Sequence, residues 1–386
     1  MEYRVLGKTG LSVSTVSLGT EYIWHAPYEQ VKEVIDASLE GGINYIDLFM
    51  GSDEVRANMG QALKGRRDQV ILAGHLGCAD QEGQYWKTRG MDVVTEYIER
   101  FYRLVETDVI DILFLHNCDT KEDSDTIFQG PMYQKALELK AQGRAKWIGL
   151  SSHNTKVAME AVSKGLIDVL MFPVNPIYNL LPRDRAHERM KGNETEEVLT
   201  EAEKAAYPSV QALYRLCKER QVGIVGMKPY AAGNLLEHFV GGNLKGLLTL
   251  SPVQCIAYAL DQMGVTCALP GMKNRQEVEE ALAYFQADAK ARSYQALLEQ
   301  SDLYRFHDQC MYCNHCQPCP AGLDIAMITK YKDLAEKNGR LSVQEAYQAL
   351  KQTAKDCISC GGCTRRCPFG VAAEENIHRA QALFGC

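Results

Sequence analysis

The sequence predicts an α/β protein, with a (β/α)8 TIM barrel followed by a small second domain. Two observations support this. Between about residues 14 and 285, short apolar runs alternate with amphipathic stretches in eight strand–helix units, the pattern of a closed parallel barrel. Further along, eight cysteines fall in two tight runs between residues 310 and 367. We therefore place the barrel at residues 1–290 and the second domain at 291–386.

The predicted barrel strands are near-continuous apolar runs, as expected of strands that a parallel sheet buries on both faces. An amphipathic stretch follows each of them, such as VKEVIDASLEGG at 31–42, where glycines end the predicted helix. In chain order the predicted strands are VSTVSLGT (13–20), INYIDLF (43–49), DQVILAGHLG (68–77), DVIDILFLHNCD (108–119), AKWIGLSSHN (145–154), IDVLMFPVN (167–175), VGIVGMKPY (222–230) and VTCALPGM (265–272).

Two other segments bear on the organisation of the chain. A long polar stretch at about residues 180–207 follows the sixth predicted strand, and a loop of that length is either a functional lid or a disordered spacer. Between the cysteine runs lie about 37 residues, with helical periodicity in IAMITKYKDLAEKNG and SVQEAYQALKQTA. The second domain is therefore predicted to be mainly helical.

The spacing of the cysteines predicts two [4Fe–4S] clusters in a ferredoxin-like domain. The second run is C-x2-C-x2-C-x3-C-P, by which thiolates wrap a cubane cluster while the fourth cysteine reaches the other cluster. Paired zinc sites are the alternative, but zinc gains nothing from a third closely spaced cysteine or the trailing proline. The crossed pattern assigns Cys310, Cys313, Cys316 and Cys367 to one cluster, and Cys357, Cys360, Cys363 and Cys319 to the other.

Composition narrows the classes of function. The net charge of -7 argues against a nucleic-acid partner. The sequence has no secretory signal at its N-terminus and no apolar run of about 20 residues, so we expect no membrane span and no disulfide framework. A reducing, cytoplasmic location follows as an expectation, and oxygen-sensitive clusters favour an anaerobic setting.

In a (β/α)8 barrel the functional groups lie at the C-terminal ends of the strands. Here these ends carry Asp47, His116 in LFLHNCD, Ser151 and Ser152 in IGLSSHN, and the motif LPGMKNRQEVEEA. With the opening LGKTGLSVSTVSLGT, they resemble the aldo-keto reductase superfamily, and the cysteine runs resemble its iron–sulfur-fused branch. The resemblance covers about residues 1–285 and 300–375.

The resemblance implies that NADP(H) or NAD(H) binds across the strand ends. Lys273 and Arg275 would pair with a ribose phosphate through charge-assisted hydrogen bonds. Ala281 stands where the family usually has an asparagine near the adenine, which is a departure from the pattern. The implied contacts are Gly19, Thr20, Ser151, Ser152, Asn175, Met227, Lys228, Pro229, Pro270, Gly271, Lys273 and Arg275.

The catalytic positions depart from the family further. Met50 stands where the family has its tyrosine acid, and His75 where it has the lysine that lowers the tyrosine's pKa. Asp47 and His116 keep the family residues. We expect Asp47, His75 and His116 to meet at one mouth, where a histidine polarises a substrate carbonyl and the carboxylate raises its pKa. Tyr22 and Tyr85 lie on the first and third strand-end loops, each either as a wall of the pocket or as a displaced phenol.

Three functions follow as hypotheses. The first is an iron–sulfur oxidoreductase that reduces a small carbonyl substrate, with electrons relayed between a nicotinamide cofactor or an external donor and two clusters. The second is a non-hydride reductase or reductive dehydroxylase, with one-electron transfer and His75 and His116 as acids. The third is an electron-transfer subunit with a non-catalytic barrel. The external donor would be a ferredoxin or flavoprotein, and a bound flavin is a further alternative, although no motif demands one.

Overall fold

The computed structural model describes residues 1–180, 210–233, 235–236, 249–299, 310, 316–367 and 371–385. The predicted polar segment after Leu180 and the predicted cluster ligand Cys313 lie outside these residues.

Eight parallel strands form one sheet, in which each strand pairs with the next barrel strand along the chain. Bonds between the first and last strands close it: Gly19 N–H donates to the carbonyl of Pro270 at 2.9 Å and Ser17 N–H to that of Ala268 at 2.9 Å. The predicted barrel is therefore confirmed. It consists of β3 (Leu18–Gly19), β4 (Tyr45–Leu48), β5 (Ile71–Leu76), β8 (Ile110–Leu115), β9 (Ala145–Ser151), β10 (Val169–Pro173), β11 (Gly223–Met227) and β12 (Val265–Leu269).

Two antiparallel hairpins accompany the barrel. The first joins β1 (Tyr3–Val5) to β2 (Ser12–Ser14). Ser14 N–H donates to Asn44 Oδ1 at 2.7 Å, just before β4 begins, so this hairpin lies at the N-terminal end of the barrel. The second joins β6 (Cys78–Gln81) to β7 (Gln84–Lys87) and follows directly after β5.

The helices of the barrel region surround the sheet, and those of the second domain follow the cysteines. In chain order they are α1 (Tyr28–Glu40), α2 (Asp53–Leu63), α3 (Met91–Val105), α4 (Lys121–Phe128), α5 (Pro131–Ala141), α6 (Thr155–Ser163), α7 (Pro176–Leu180), α8 (Val210–Glu219), α9 (Pro252–Asp261), α10 (Arg275–Leu282), α11 (Ala289–Arg292), α12 (Gln295–Glu299), α13 (Ile325–Asn338), α14 (Gln344–Gln348), α15 (Gly362–Arg366) and α16 (Ala373–Phe384). Within the part of the chain that the structure describes, no helix is long and apolar enough to cross a membrane.

The barrel has two layers of core. One lies inside the sheet, where Phe114, Val225 and Tyr45 pack with Leu6 and Val13 from the first hairpin. The larger one lies between the sheet and the surrounding helices. Because the interior is filled with side chains below the strand ends, a cavity is left only at the mouth, as usual for this fold.

The second domain has its own small core. The rings of Tyr347 and Phe384 stack at 3.8 Å, next to Ile328 of α13 and Ile377 of α16. Its mainly helical character matches the prediction. The predicted helix at 342–354 is shorter in the structure, where α14 covers only Gln344–Gln348.

The sequence did not predict the β6–β7 hairpin. Its two-residue turn has φ 53° at Glu82 and φ 78° at Gly83, as in a type I′ turn, which joins strands tightly. A glutamate at the first of these positions is unusual, since a positive φ favours glycine or asparagine there. The turn signal in the sequence is accordingly weak.

Candidate active site

A cavity opens at the C-terminal ends of the barrel strands, with about 700 Å³ of space between the atoms, part of it open to solvent. Asp47 of β4, His75 of β5 and His116, which directly follows β8, line one side of it. Three strands thus bring to one place the side chains that the sequence predicted would meet. The ring of Phe49 also lines the cavity and stacks on that of His116, with centroids 5.7 Å apart.

These side chains form a continuous buried chain of hydrogen bonds with Tyr85. His75 Nε2 lies 2.9 Å from Asp47 Oδ1, and His75 Nδ1 lies 2.8 Å from His116 Nδ1. His116 Nε2 lies 2.8 Å from the hydroxyl of Tyr85. All four residues are at most 4% exposed. We refer to Tyr85, His116, His75 and Asp47 as the relay.

The positions of the relay protons follow from its partners. Because Asp47 accepts from Nε2 of His75, Nδ1 of a neutral His75 is left to accept from His116, and the Tyr85 hydroxyl, whose oxygen accepts from Asn117 Nδ2 at 3.3 Å, donates to His116 Nε2. A neutral His116 then carries its proton on Nδ1 and donates it to His75 Nδ1. His75 in turn carries its proton on Nε2 and donates it to the Asp47 carboxylate. Every hydrogen bond of the relay therefore runs from Tyr85 towards Asp47.

The surroundings of His116 favour its neutral form. The expected effect of a carboxylate concerns a histidine beside it, and His116 contacts His75, whereas Asp47 contacts His75. Burial lowers the pKa of His116 well below its usual value, and the neighbouring His75 and Arg89 act in the same direction. A neutral imidazole still has one N–H to donate and one nitrogen to accept, so His116 can serve as a link in the relay.

The structure also locates Met50 and the two candidate tyrosines. Met50, at the position of the family tyrosine, is 2% exposed and does not line the cavity. Tyr22 is a wall of the cavity, as the sequence suggested. Tyr85 is not: it lies behind His116, outside the lining, with its hydroxyl bound to the imidazole.

A second buried pair lies on another side of the cavity. His153, which lines it, meets Asp119: the backbone N–H donates to Oδ1 at 2.6 Å, and the ring Nδ1 lies 3.0 Å from Oδ2. Burial alone would raise the pKa of Asp119, but the contacts with His153 outweigh it and lower the pKa to about 2. Asp119 therefore stays ionised and fixes the ring of His153.

Sequence reasoning missed Glu21 as a residue of the cavity wall. It follows Thr20 at the end of β3 and lines the cavity. Burial raises its pKa above the usual range; the charge of Lys228 opposes this shift, and that of Asp47 adds to it. Its place directly after a strand end is the signal that would have found it, as it would have found Asp119.

The residues implied to hold a nicotinamide divide into two groups. Ser152, Asn175 and Pro270 serve internal contacts: Ser152 Oγ donates to the carbonyl of Cys118 at 2.6 Å, Asn175 Nδ2 to that of Lys228 at 2.9 Å, and Pro270 accepts from Gly19. Neither these three nor Lys273 and Arg275 line the cavity. Those that line it are Gly19, Thr20, Ser151, Met227, Lys228, Pro229 and Gly271.

The two predicted phosphate-binding cations are held by carboxylates. Lys273 Nζ lies 3.2 Å from Glu277, and Arg275 lies 2.8 Å from Glu40. A second cavity, which shares Tyr22, Tyr230 and Gly271 with the first, is lined by Glu277 and Glu280. Seven of the twelve residues implied to hold a nicotinamide thus line the strand-end cavity, whereas the region assigned to the ribose phosphate is acidic at its wall.

The cysteine runs form a cradle that fits an iron–sulfur cluster. Cys316, Cys319, Cys357 and Cys363 all pack at the small core of the second domain. The backbone N–H of Ser359 points to Cys357 Sγ at 3.4 Å, as a donor to a thiolate would. Positive φ angles of 51° at Ser359 and 66° at Gly361 curl this loop around the sulfurs.

Arg366 joins the two cysteine runs. Its Nε and Nη2 donate to the carbonyl of Cys316 at 3.0 and 2.9 Å, and Nη2 also donates to that of Pro318 at 2.6 Å. Among the described residues, no three His, Cys, Asp or Glu side chains gather around one point as a single metal ion requires.

Comparison with protein families gives two matches. The profile of the Aldo/keto reductase family matches residues 11–301. The profile of the 4Fe-4S dicluster domain matches residues 306–371, which include both cysteine runs.

Individual proteins are similar to the barrel region. The aldo-keto reductase YhdN of Bacillus subtilis is 28% identical over 199 residues, which are 48% of this chain and 56% of YhdN, so the match spans little more than half of that relative. The L-galactose dehydrogenase of Arabidopsis thaliana is 24% identical over 73% of this chain and 88% of its own length. The holo form of an aldo-keto reductase from Bacillus halodurans superposes with a TM-score of 0.58, at 24% identity, over 78% of this chain and 97% of that one.

Proposed function

This chain belongs to the aldo/keto reductase family and carries a 4Fe-4S dicluster domain, and from that premise we propose that it is an oxidoreductase that reduces the carbonyl group of a small molecule. The substrate would occupy the cavity at the strand ends. Electrons would be relayed between a nicotinamide cofactor or an external donor and the two clusters. The observation that carries the proposal is the buried relay, which ends at the cavity in two histidines and a carboxylate.

Reduction of a carbonyl to an alcohol consumes two electrons and two protons. Bound nicotinamide would supply both electrons with one proton as a hydride, and bound clusters would supply single electrons. The chain's own residues must then protonate the substrate oxygen. His75 and His116 both face the cavity, and an N–H of either can donate to that oxygen once it leaves its present acceptor.

The rest of the relay supports this step. Asp47 holds the proton of His75 on Nε2 and stabilises positive charge that develops on the imidazole. Phe49 lies over His116 and keeps water from that side of the ring. The relay thus takes over the work that a tyrosine and a lysine do in the family's usual site.

The proposal is tested on anaerobically purified protein. NADPH and then NADH are added, and cluster reduction is followed by visible bleaching and electron paramagnetic resonance. We expect NADPH or NADH to bleach the clusters. A carbonyl substrate should increase the rate at which electrons pass through them in turnover. Failure of every nicotinamide and every one-electron donor to drive reduction of any carbonyl would contradict the proposal.

A second candidate is a reductase that uses no hydride and takes its electrons singly from the clusters. The observation that favours it is the state of Lys273 and Arg275, both paired with carboxylates beside an acidic wall. The donor would then be an external ferredoxin or flavoprotein, and the reaction would reduce an activated carbonyl or expel a neighbouring hydroxyl as water.

The same titration separates the two candidates. No bleaching by NADPH or NADH, with reduction by dithionite intact, would favour the one-electron route. Calorimetry with each nicotinamide provides the matched control, because binding without bleaching would show that the cofactor site is filled but not connected to the clusters.

A further inference from the structure

The β6–β7 hairpin contacts both the relay and the cysteine domain. It begins two residues after the end of β5, the strand that carries His75. Successive side chains of a strand point to opposite faces. In β7 this alternation places Gln84 against the cysteine domain and Tyr85 against the barrel mouth.

The side-chain amide of Gln84 forms two hydrogen bonds with one residue of the cysteine domain. Its Oε1 accepts from the backbone N–H of Cys319 at 2.8 Å, and its Nε2 donates to the carbonyl of the same residue at 3.3 Å. A side-chain amide that meets both backbone groups of one residue fixes that peptide much as a neighbouring strand would. Cys319 is the cysteine assigned by the crossed pattern to the cluster of the second run.

Tyr85 holds the relay from the other face. Its hydroxyl lies 2.8 Å from His116 Nε2 and donates to it, and its oxygen also accepts from Asn117 at 3.3 Å. Because Nε2 is thereby an acceptor, the single proton of His116 is held on Nδ1, directed at His75. The other end of the relay favours the same tautomer, because Asp47 holds the proton of His75 on Nε2 and leaves Nδ1 of His75 to accept from His116.

We propose that the hairpin 78–87 couples the two domains, with Gln84 as the anchor that holds Cys319 against the barrel and Tyr85 as a positioning residue that orients the ring of His116 through its Nε2. The inference rests on the proposed function for its relevance to reduction, since the relay would be the proton donor. The two parts are linked by a single peptide bond between Gln84 and Tyr85. A change in the position of the cysteine domain relative to the barrel is therefore transmitted directly to the phenol that orients His116.

The first test reads the tautomer and does not depend on turnover. In oxidised holoenzyme labelled with 15N-histidine, nuclear magnetic resonance should place the His116 proton on Nδ1. Tyr85→Phe removes only the hydroxyl and should shift the resonance of His116 Nε2, which loses its donor, while the proton stays on Nδ1 and the fold is kept. An Nε2-protonated His116 in the native protein, or an unchanged spectrum in Tyr85→Phe, would overturn the role of Tyr85.

The second test reads the anchor by hydrogen–deuterium exchange of the holoenzyme. Gln84→Met keeps the length of the side chain and loses both hydrogen bonds to Cys319, so exchange should quicken in peptides covering 78–87 and 316–323. Gln84→Glu keeps the acceptor for the Cys319 N–H and should rescue part of the protection. Gln81→Met, at an exposed position across the same turn, is the matched control and should leave exchange unchanged.

The outcomes separate this inference from the proposed function. Unchanged exchange in Gln84→Met at either segment would overturn the coupling, whatever the enzyme reduces. A protein that reduced no carbonyl but showed the expected tautomer and exchange would refute the proposed function and leave the coupling standing.

Discussion

Histidine at position 75 changes what the site can do with a proton. A lysine there would have three donors and no acceptor, so it could not receive a hydrogen bond from His116. The imidazole of His75 meets Asp47 with one nitrogen and His116 with the other. The histidine that replaces the family's lysine can therefore both donate a hydrogen bond and accept one, whereas a lysine ammonium can only donate.

Truncation of either relay histidine tests whether that link serves catalysis. His75→Ala and His116→Ala should each lower turnover by about 10²–10⁴-fold, the range that general acid–base groups contribute. Turnover is measured with a reduced viologen as donor. His25→Ala, at an exposed residue outside the relay and the cavity lining, should stay near native activity.

A thermal unfolding curve for each variant separates loss of catalysis from loss of fold, since removal of one partner leaves buried polar groups unsatisfied at a cost of about 1–3 kcal/mol. Full turnover in both folded alanine variants would eliminate the histidines as proton donors.

Loops at neighbouring strand ends are tied together by buried polar contacts. Asp119, after β8, binds the backbone N–H and the ring of His153, after β9. Asn154 Nδ2 donates to the carbonyl of Asp119 at 2.9 Å, which strengthens the same junction. These contacts fix the part of the cavity wall that His153 forms.

The lowered pKa of Asp119 makes this junction sensitive to acid. A carboxyl whose folded pKa is about 2, against an ordinary 3.8, stabilises the folded state fully above about pH 4 and loses that contribution as the pH falls through about 2. The difference corresponds to about 2 kcal/mol. Asp119→Asn should therefore lower the free energy of unfolding at neutral pH and flatten its decline between about pH 4 and 2.

Urea denaturation at a series of pH values measures this effect. Asp125→Asn, at a partly exposed carboxyl on α4, is the control and should leave the slope as in the native protein. An Asp119→Asn variant with the native slope would mean that Asp119 does not titrate with the folded state.

The β6–β7 hairpin shows where element prediction failed. Its strands are only four residues each, and the residues between them, Glu82 and Gly83, lack the Asn-Gly or Asp-Gly pair that usually signals such a turn. Its stability comes from contacts beyond its own sequence. Tyr97 donates to the carbonyl of Asp80 and Gln84 binds Cys319.

In the whole molecule, the cysteine domain is held to the barrel next to the relay. Arg366 joins the two cysteine runs, and Gln84 joins the first run to the barrel. The clusters would therefore be held at a fixed position relative to the cavity and the relay.

Single cysteine substitutions test the crossed assignment of ligands. Cys319→Ser and Cys357→Ser should remove the same cluster, and Cys310→Ser and Cys367→Ser the other, each lowering iron from about eight to about four atoms per chain. Iron analysis and the paramagnetic resonance spectrum of the reduced protein identify which cluster is lost. Cys255→Ala, at a buried cysteine of α9 in the barrel core, should keep all the iron.

Loss of the same signal in Cys319→Ser and Cys310→Ser, with a different one lost in Cys357→Ser, would mean that each run holds its own cluster. The fold of both domains and the hairpin contact would be unaffected by that result.

The sequence by itself determined the barrel, the helical second domain and the cysteine runs, because apolar periodicity and ligand spacing are properties of neighbouring residues in the chain. It also placed Asp47, His75 and His116 at strand ends, which parallel strands bring to one edge. Only the tertiary structure decided which atoms meet. Tyr85 contacts His116, which lies 31 positions further along the chain. Gln84 binds Cys319, and Glu40 pairs with Arg275, each across 235 positions. Such contacts depend on side-chain directions that no local pattern encodes.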